Sequence, residues 1–488
     1  MSRESVPAIP FIDGHSARSV SDASIDVVNP SNGKRIFAIP AGAKEDVDRA
    51  VGSARRAFDD GRWSEEAPSH RKKALHRFAD LIEKEAAVLD RLDAEEMGKP
   101  ISLGFGSAAA AASIMRFYAE AVDKVLGDVY GSDKNSFVAQ RRVPRGVVGA
   151  VVPWNFPTFN AVYKVAPALA AGNCVVLKPS ELSSRSSFIL AGLALQAGVA
   201  PGALNVIPGL GQTVGQALGL HMEVDMVTFT GSTAVGRLML QYAGQSNMKA
   251  VMAECGGKSP QIVFADGVDL DAASKSIAQL LLTNQGQLCT VGSRLLVQKS
   301  IEKVVTEKVS EHLSNAVIGD ALNPRTTMGP LASSEQCSRV MGYIDAGKAE
   351  GARLVTGGRR TLVESGGYFV EPTVFGNVLP SARIAQEEIF GPVLAITPFG
   401  NEDEAIRIAN GTPYGLVAYV WTANLSTGMR MAKGIRSGVL VNASPPQGEG
   451  PGHAFSTEPV GQSGVGTESG LAGMESYLRR QVIWVNHA

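Results

Sequence analysis

Val147-Val148-Gly149-Ala150-Val151-Val152 is an unbroken apolar run, and it opens the part of the chain that decides the fold. Three similar runs follow at 174–177, 204–207 and 226–229, with helical stretches such as 187–199 between them. Strands that are apolar on both faces and alternate with helices predict a parallel sheet covered by helices. A second α/β series begins near Pro260 and runs to about residue 445. Upstream, short strand-like pieces and turn signals (Asn29-Pro30, Asn32-Gly33) precede helical spacing at Val47, Ala50, Val51, Ala54 and Phe58. One further helix is expected from about Ser69, with Leu75, Phe78, Leu81, Ile82 and Leu89 on a single stripe and Gly98 and Pro100 as its stop. The alanines at 108–112 continue into Ile114, Met115 and Phe117, which makes them part of a packed helix. Two β-prone segments, near 128–142 and 478–486, have no place in the alternation, so their partners are expected elsewhere, between subunits. The Gly/Pro-rich stretch 443–459 reads as a long loop, of a length usually tied to function.

At 488 residues the chain suits two or three domains. Its 44% hydrophobic and 19% charged residues are an ordinary globular mixture, not a disordered one. The 46 basic and 47 acidic residues nearly cancel, so no global field favours nucleic acid or an acidic membrane. The basic run Arg71-Lys72-Lys73 reads as a solvated helix face. Four cysteines (Cys174, Cys255, Cys289, Cys337) lie far apart without CxxC spacing, which argues against a disulfide scaffold or a metal site and fits a reducing compartment. The first ten residues hold no signal-peptide core, and no apolar run approaches bilayer length. The expected location is the cytoplasm, with no membrane partner.

Two places offer a strand, a glycine turn and a helix start, where free amides and the helix dipole hold phosphate. Gly209-Leu210-Gly211 through Gly215 is a lone GxGxxxG, a weak signal. Thr230-Gly231-Ser232-Thr233 through Gly236 adds good capping residues that also donate to phosphate, although a plain helix cap explains them equally. In Leu177-Lys178-Pro179-Ser180-Glu181, a lysine and a glutamate leave a buried strand where open α/β sheets bind ligands. They read either as a clamp for a ribose diol or as an exposed ion pair. Cys289 lies in a polar turn, Thr283-Asn284-Gln285-Gly286-Gln287-Leu288-Cys289-Thr290, where amides are expected to hold a thiolate below the ordinary pKa of about 8.5. Cys174, in an apolar strand, and Cys337, on a polar helix, are explained by core packing and by surface position. Glu254 precedes a glycine pair that permits close backbone approach, a place suited to a general base.

Together these segments resemble the aldehyde dehydrogenase superfamily over nearly the whole chain. The resemblance rests on Pro153-Trp154-Asn155-Phe156-Pro157, Leu177 through Glu181, Phe229 through Gly236 and Glu254-Cys255-Gly256-Gly257-Lys258. Gly286-Gln287-Leu288-Cys289, Glu387-Glu388-Ile389-Phe390-Gly391-Pro392 and Asn410 through Tyr414-Gly415-Leu416 complete it. It implies an α/β fold with a Rossmann-type cofactor domain (1–125 and 145–256), an α/β catalytic domain (257–460) and a small β oligomerisation arm (126–144 and 476–488) in a homodimer or homotetramer. It implies oxidation of a small-molecule aldehyde to an acid with NAD, NADP use being left open by Lys178. Cys289 would be the nucleophile, Asn155 and the Cys289 amide the oxyanion donors, Glu254 the base, and Lys164 with Glu468 its proton relay. Cofactor contacts would come from Val152, Pro153, Trp154, Lys178, Ser180, Glu181, Gly231, Ser232, Glu388 and Phe390, with the 209–215 glycines structural or near adenine. Glu181 favours NAD because a carboxylate repels a 2′-phosphate. Phe156, Asn160, Tyr163, Thr290 and Phe455 are the implied pocket, with the 443–459 loop as lid. The run from Ser246 to Asp266 is similar to γ-glutamyl-γ-aminobutyraldehyde and other ω-amino aldehyde dehydrogenases.

Two departures matter. Where many members carry Pro-Phe-Gly-Gly-x-Lys-x-Ser-Gly, this chain has the shorter Phe455-Ser456-Thr457-Glu458-Pro459-Val460-Gly461-Gln462-Ser463-Gly464, which weakens substrate inference. Position 255 is usually leucine, so Cys255 reads as a smaller core residue or a redox liability. Two rivals stand beside the main reading. A coenzyme-A-acylating semialdehyde dehydrogenase commonly lacks the carboxylate found here at Glu254. A non-catalytic protein retaining the fold would have no reason to keep Cys289, Glu254 and Asn155.

Overall fold

Burial on both faces places the apolar runs in the middle of an eight-stranded sheet. In the computed structural model, which describes residues 9–443 and 453–487, these are β1 (Val147–Val151), β2 (Cys174–Lys178), β3 (Leu204–Val206), β4 (Met226–Thr230) and β5 (Ala250–Glu254). They are mutually parallel in the order β3-β2-β1-β4-β5, and short N-terminal and C-terminal strands extend the two edges antiparallel. The order reverses between β1 and β4. That is the switch point of an open α/β sheet, where a crevice forms beyond the strand ends. Helix α1 (Pro157–Ala170) follows β1, and α2 (Thr233–Gln245) follows β4.

A seven-stranded sheet follows. Its strands are β6 (Pro260–Val263), β7 (Arg294–Gln298), β8 (Arg353–Thr356), β9 (Thr373–Gly376), β10 (Val393–Phe399), β11 (Val417–Trp421) and β12 (Gly438–Val441), in the order β8-β9-β10-β7-β6-β11-β12. Only β8 runs antiparallel to its neighbour. Helix α3 (Leu270–Leu282) links β6 to the thiol loop, and α4 (Glu402–Ala409) precedes β11. Ile277, Leu281, Leu295, Val297 and Tyr419 form one core beneath this sheet, and Ile262, Leu296, Phe399 and Val420 another on its far side.

Four sequence expectations change. The stripe from Ser69 to Leu89 is not one helix but two, Pro68–Lys84 and Ala86–Met97. They part at Glu85, whose N–H turns to the carbonyls of Leu81 and Ile82, and the second ends where Gly98 adopts φ 82°. Cys337 is buried against Val340, Ile344 and Phe375, because the polar residues of its helix face the other way. Arg71 is half-buried and donates to the Glu66 carbonyl, so the basic run is not a uniformly solvated face. The two unplaced β segments pair with each other within the chain: Leu478–Asn486 lies antiparallel to Ser136–Pro144 along its full length, with Asp128–Tyr130 on the other edge. This three-stranded arm exposes Val129, Phe137, Val482 and Trp484. Among the described residues no helix is long and apolar enough to cross a membrane. Residues 444–452 of the expected lid lie outside the described residues.

Candidate active site

The site is assembled where the chain leaves β5. A Cβ at Gly257 would lie 2.6 Å from the Cys289 carbonyl oxygen, and one at Gly256 would strike the Glu388 carboxylate. Only glycine lets the strand end touch both segments. The Gly257 N–H donates to Glu388 Oε1 at 3.0 Å, which brings the Glu388 turn against the strand that ends in Glu254.

After α3 the thiol loop turns sharply. Asn284 and Gln285 adopt φ 46° and 58°, followed by Gly286 at 70°. Left-handed conformation at a non-glycine residue costs of order 1–3 kcal/mol, and buried amides hold it here. Asn284 Nδ2 donates to the Asn155 carbonyl (2.7 Å), Gln285 Nε2 to the Gly98 carbonyl (2.7 Å), and Gln287 Oε1 accepts from the Ala332 N–H (3.0 Å). Asn155 answers across the cleft, its Nδ2 donating to the Gln287 carbonyl at 3.0 Å. A side-chain amide carries two hydrogens, so one remains for a ligand. Asn160 Nδ2 donates to Asn155 Oδ1 at 3.3 Å and so sets which end of that amide faces the thiol loop. Asn160, expected in the pocket, therefore positions Asn155. Asn284 and Gln287 went unremarked as individual supports in the sequence. The signal for them is three amide residues, Asn284, Gln285 and Gln287, crowded between an apolar helix and a cysteine, and all three are fully buried.

Charge in this cleft is expensive. Burial first, and then the Glu468 carboxylate, push Glu254 up to about 8, with Lys164 opposing. One Glu254 carboxyl oxygen is buried without a partner among the described residues. Lys164 and Glu468 form a buried ion pair beside it. The expected low thiol pKa is not found. Burial first, then the charges of Glu388 and Glu254, raise Cys289 to about 12 and outweigh the amides of Thr290 and Cys289 itself. Cys255 is buried, and its sulfur fills the space a side chain at Gly236 would need, which marks it as a core residue.

The groove beyond β1, β2 and β4 collects the remaining residues. Val152 donates its N–H to the Lys178 carbonyl (3.1 Å), tying the two strand ends together. Lys178 is buried, and its Nζ contacts Glu181 (3.2 Å) and the Pro179 carbonyl (2.9 Å), so this is not an exposed ion pair. Ser180 Oγ accepts from the Leu182 N–H and shapes the turn between them. Pro153 and Trp154 lead out of β1, and the Trp154 ring meets Phe390 edge-on with centroids 5.3 Å apart. Ser232 caps α2 by accepting from the Val235 N–H (3.3 Å) at an exposed helix start, and Gly231 N–H donates to the Glu254 carbonyl (3.0 Å). The Gly231 turn thus continues the pairing of β4 with the strand that ends in Glu254. Gly209, at φ 142°, packs against Val214 and Gly42, which gives the GxGxxxG a structural part.

The implied pocket residues are not equivalent. Phe156 is 3% exposed and packs edge-on against Phe105, in the core behind the thiol loop. Tyr163 stacks on Phe159 (5.5 Å, 17°), and both are partly buried. The Thr290 carbonyl accepts from Tyr419 Oη at 2.8 Å. Phe455 is exposed.

Against this geometry, residues 17–483 match the model of the aldehyde dehydrogenase family. The chain belongs to the aldehyde dehydrogenase family. It is 40% identical over 480 residues to the NADP/NAD-dependent aldehyde dehydrogenase PuuC of Escherichia coli, covering 98% of this chain and 95% of that one. Its fold superposes with a TM-score of 0.95 on an indole-3-acetaldehyde dehydrogenase complexed with NAD+, at 44% identity and covering 99% of this chain and 98% of that one. The same score is reached with the γ-glutamyl-γ-aminobutyraldehyde dehydrogenase of Burkholderia cenocepacia, at 43% identity and covering 98% and 97%. The resemblance read from the motifs therefore holds across the chain, and this aldehyde dehydrogenase is an NAD(P)-dependent oxidoreductase.

Close approach at Gly257 is a specific demand of this site. Gly257→Ala should displace the Cys289 loop and lower kcat/KM for an aldehyde by about 10²-fold, the usual cost of misplacing a reacting group by about an ångström. Far-UV circular dichroism should be unchanged, and full activity in the alanine variant would show that the contact is not needed.

Proposed function

We propose that the enzyme oxidises an aldehyde to a carboxylic acid through a thioester on Cys289. The observation that carries this reading is the convergence of Cys289, Asn155 and the unpartnered Glu254 carboxyl oxygen around the Gly256-Gly257 contact. The Cys289 sulfur adds to the aldehyde carbon to give a thiohemiacetal. The free hydrogen of the Asn155 amide and the Cys289 N–H hold the oxyanion, each such donor contributing about 3 kcal/mol. A dinucleotide held in the groove beyond β1, β2 and β4 would supply the hydride acceptor for this adduct. Glu254 takes a proton from water as the water attacks the thioester, and the Glu468–Lys164 pair carries that proton onward. This use of a carboxylate favours acid formation over transfer to coenzyme A.

The residues fit a dinucleotide at the β1–β4 switch point. Ser232 and Gly231, at the open start of α2, suit the pyrophosphate, and Lys178 with Glu181 and Ser180 suits the adenosine ribose. Val152, Pro153, Trp154, Glu388 and Phe390 complete the nicotinamide side. Residues 1–125 and 145–256 then form the cofactor unit, 257–460 the thiol unit, and 126–144 with 476–488 an arm whose exposed apolar face serves a homodimer or homotetramer in the cytoplasm. Phe159 and Tyr163, one and two helical turns beyond Asn155, favour an aldehyde with an apolar or aromatic body.

Replacing the nucleophile tests the reaction. Cys289→Ala should abolish NADH formation across a panel of aldehydes, and normal turnover would move the chemistry elsewhere. Because Glu254 acts only when ionised and burial raises its pKa, steady-state turnover limited by thioester hydrolysis should rise with pH through about 8 and level off above it. Glu254→Gln should flatten that limb and slow turnover while keeping a pre-steady-state burst of NADH; loss of the burst with normal turnover would contradict the role. Glu181→Gln should improve NADP use relative to NAD, read as the ratio of kcat/KM values, and an unchanged ratio would remove Glu181 from cofactor choice.

A further inference from the structure

Four residues past Glu254, the chain enters a second polar region that the oxidation does not use. Lys258 and Ser259 precede β6, Arg294 opens β7, and Pro260 pairs with Arg294 across the sheet. With Asn410, Thr412 and Arg436 they line a small hollow at the N-terminal ends of β6, β7 and β11. No carboxylate lines it. Lys258 Nζ, Ser259 Oγ and Arg294 Nε are each buried and without a hydrogen-bond partner among the described residues, and the three side chains are 2% exposed.

A buried polar atom without a partner costs about 1–3 kcal/mol, and more when charged. Three such donors on one wall are therefore a feature that needs a counterpart. The Arg294 guanidinium is fixed by donating to the Ile408 (2.6 Å) and Ala409 (2.8 Å) carbonyls at the end of α4, which leaves Nε directed elsewhere. Arg436 is fixed by donating to the Asn410 carbonyl at 2.6 Å. Neutral carbonyls leave both positive charges in place. Lys258 has no such anchor, and burial and then Arg294 lower its pKa to about 7, with the Glu388 and Glu387 charges only partly opposing. Water would satisfy single donors but would leave the charge uncompensated, whereas an anion satisfies both demands.

We propose that this hollow binds a small tetrahedral oxyanion of the phosphate or sulfate class, held by Lys258, Ser259 and Arg294 with Arg436 at the exposed mouth. The site is distinct from the dinucleotide groove, which lies at the C-terminal ends of the other sheet. Equilibrium dialysis of labelled inorganic phosphate against the full-length enzyme at constant ionic strength, with NAD saturating so that the groove is filled, tests it. One saturable phosphate per chain is expected, displaced by sulfate but not by acetate. Lys258→Met should weaken it at least about tenfold, the loss of one charge-assisted bond. Absence of saturable binding, equal displacement by acetate, or unchanged affinity in Lys258→Met would each overturn the proposal. Should Lys258→Met fail to fold, Arg436→Gln at the exposed mouth decides, with weakened binding expected and unchanged affinity overturning it.

Discussion

The site depends on two backbones meeting where neither has a side chain to spare. The strand that ends in Glu254 continues through Gly256 and Gly257, which lie against the Glu388 carboxylate and the Cys289 carbonyl. Gly286 repeats the arrangement on the far side of the thiol loop, where a Cβ would collide with the Gly391 backbone. The Glu254 strand, the Cys289 loop and the Glu388–Phe390 turn are thereby held within one contact layer. A methyl group at either position would need a backbone to move, because packed interiors do not yield by tenths of an ångström without cost.

That close packing has an electrostatic consequence. Burial raises the pKa of Cys289, Glu254, Glu388 and Glu468 alike, each disfavoured in its charged form. Lys164, paired with Glu468, is the buried cation whose charge opposes this at both Glu254 and Glu468. The cleft thus disfavours added negative charge, which suits a site that admits an uncharged aldehyde.

Much of this was legible in the residues. The central strands are apolar on both faces, and their sequence limits agree with the sheet to within a residue or two. The motifs carrying Asn155, Glu254 and Cys289 are local in sequence, and each supplies its own turn chemistry. What escaped is what depends on distant partners. Nothing in Leu81-Ile82-Glu83-Lys84-Glu85 marks a helix break, because the pattern of apolar residues continues through it. The polar helix neighbours of Cys337 point to exposure, although one buried face suffices. The low pKa expected for Cys289 followed from the polar turn alone. The turn's amides do lower it, but burial first, and then two carboxylates from other elements, outweigh them.

The same reasoning explains why opposite charges gather on either side of residues 255–257. Glu254 ends β5 on the side that holds the cleft, and Lys258 begins the approach to β6 on the side that holds the hollow. The Glu388 and Glu387 charges favour the protonated form of Lys258, while Arg294 disfavours it. A short segment with little side-chain bulk thus separates an acid-rich pocket from a base-rich one. Compensation of Lys258 from its own side would hold this segment in place, and with it the glycine contact between the Glu254 strand and the Cys289 loop.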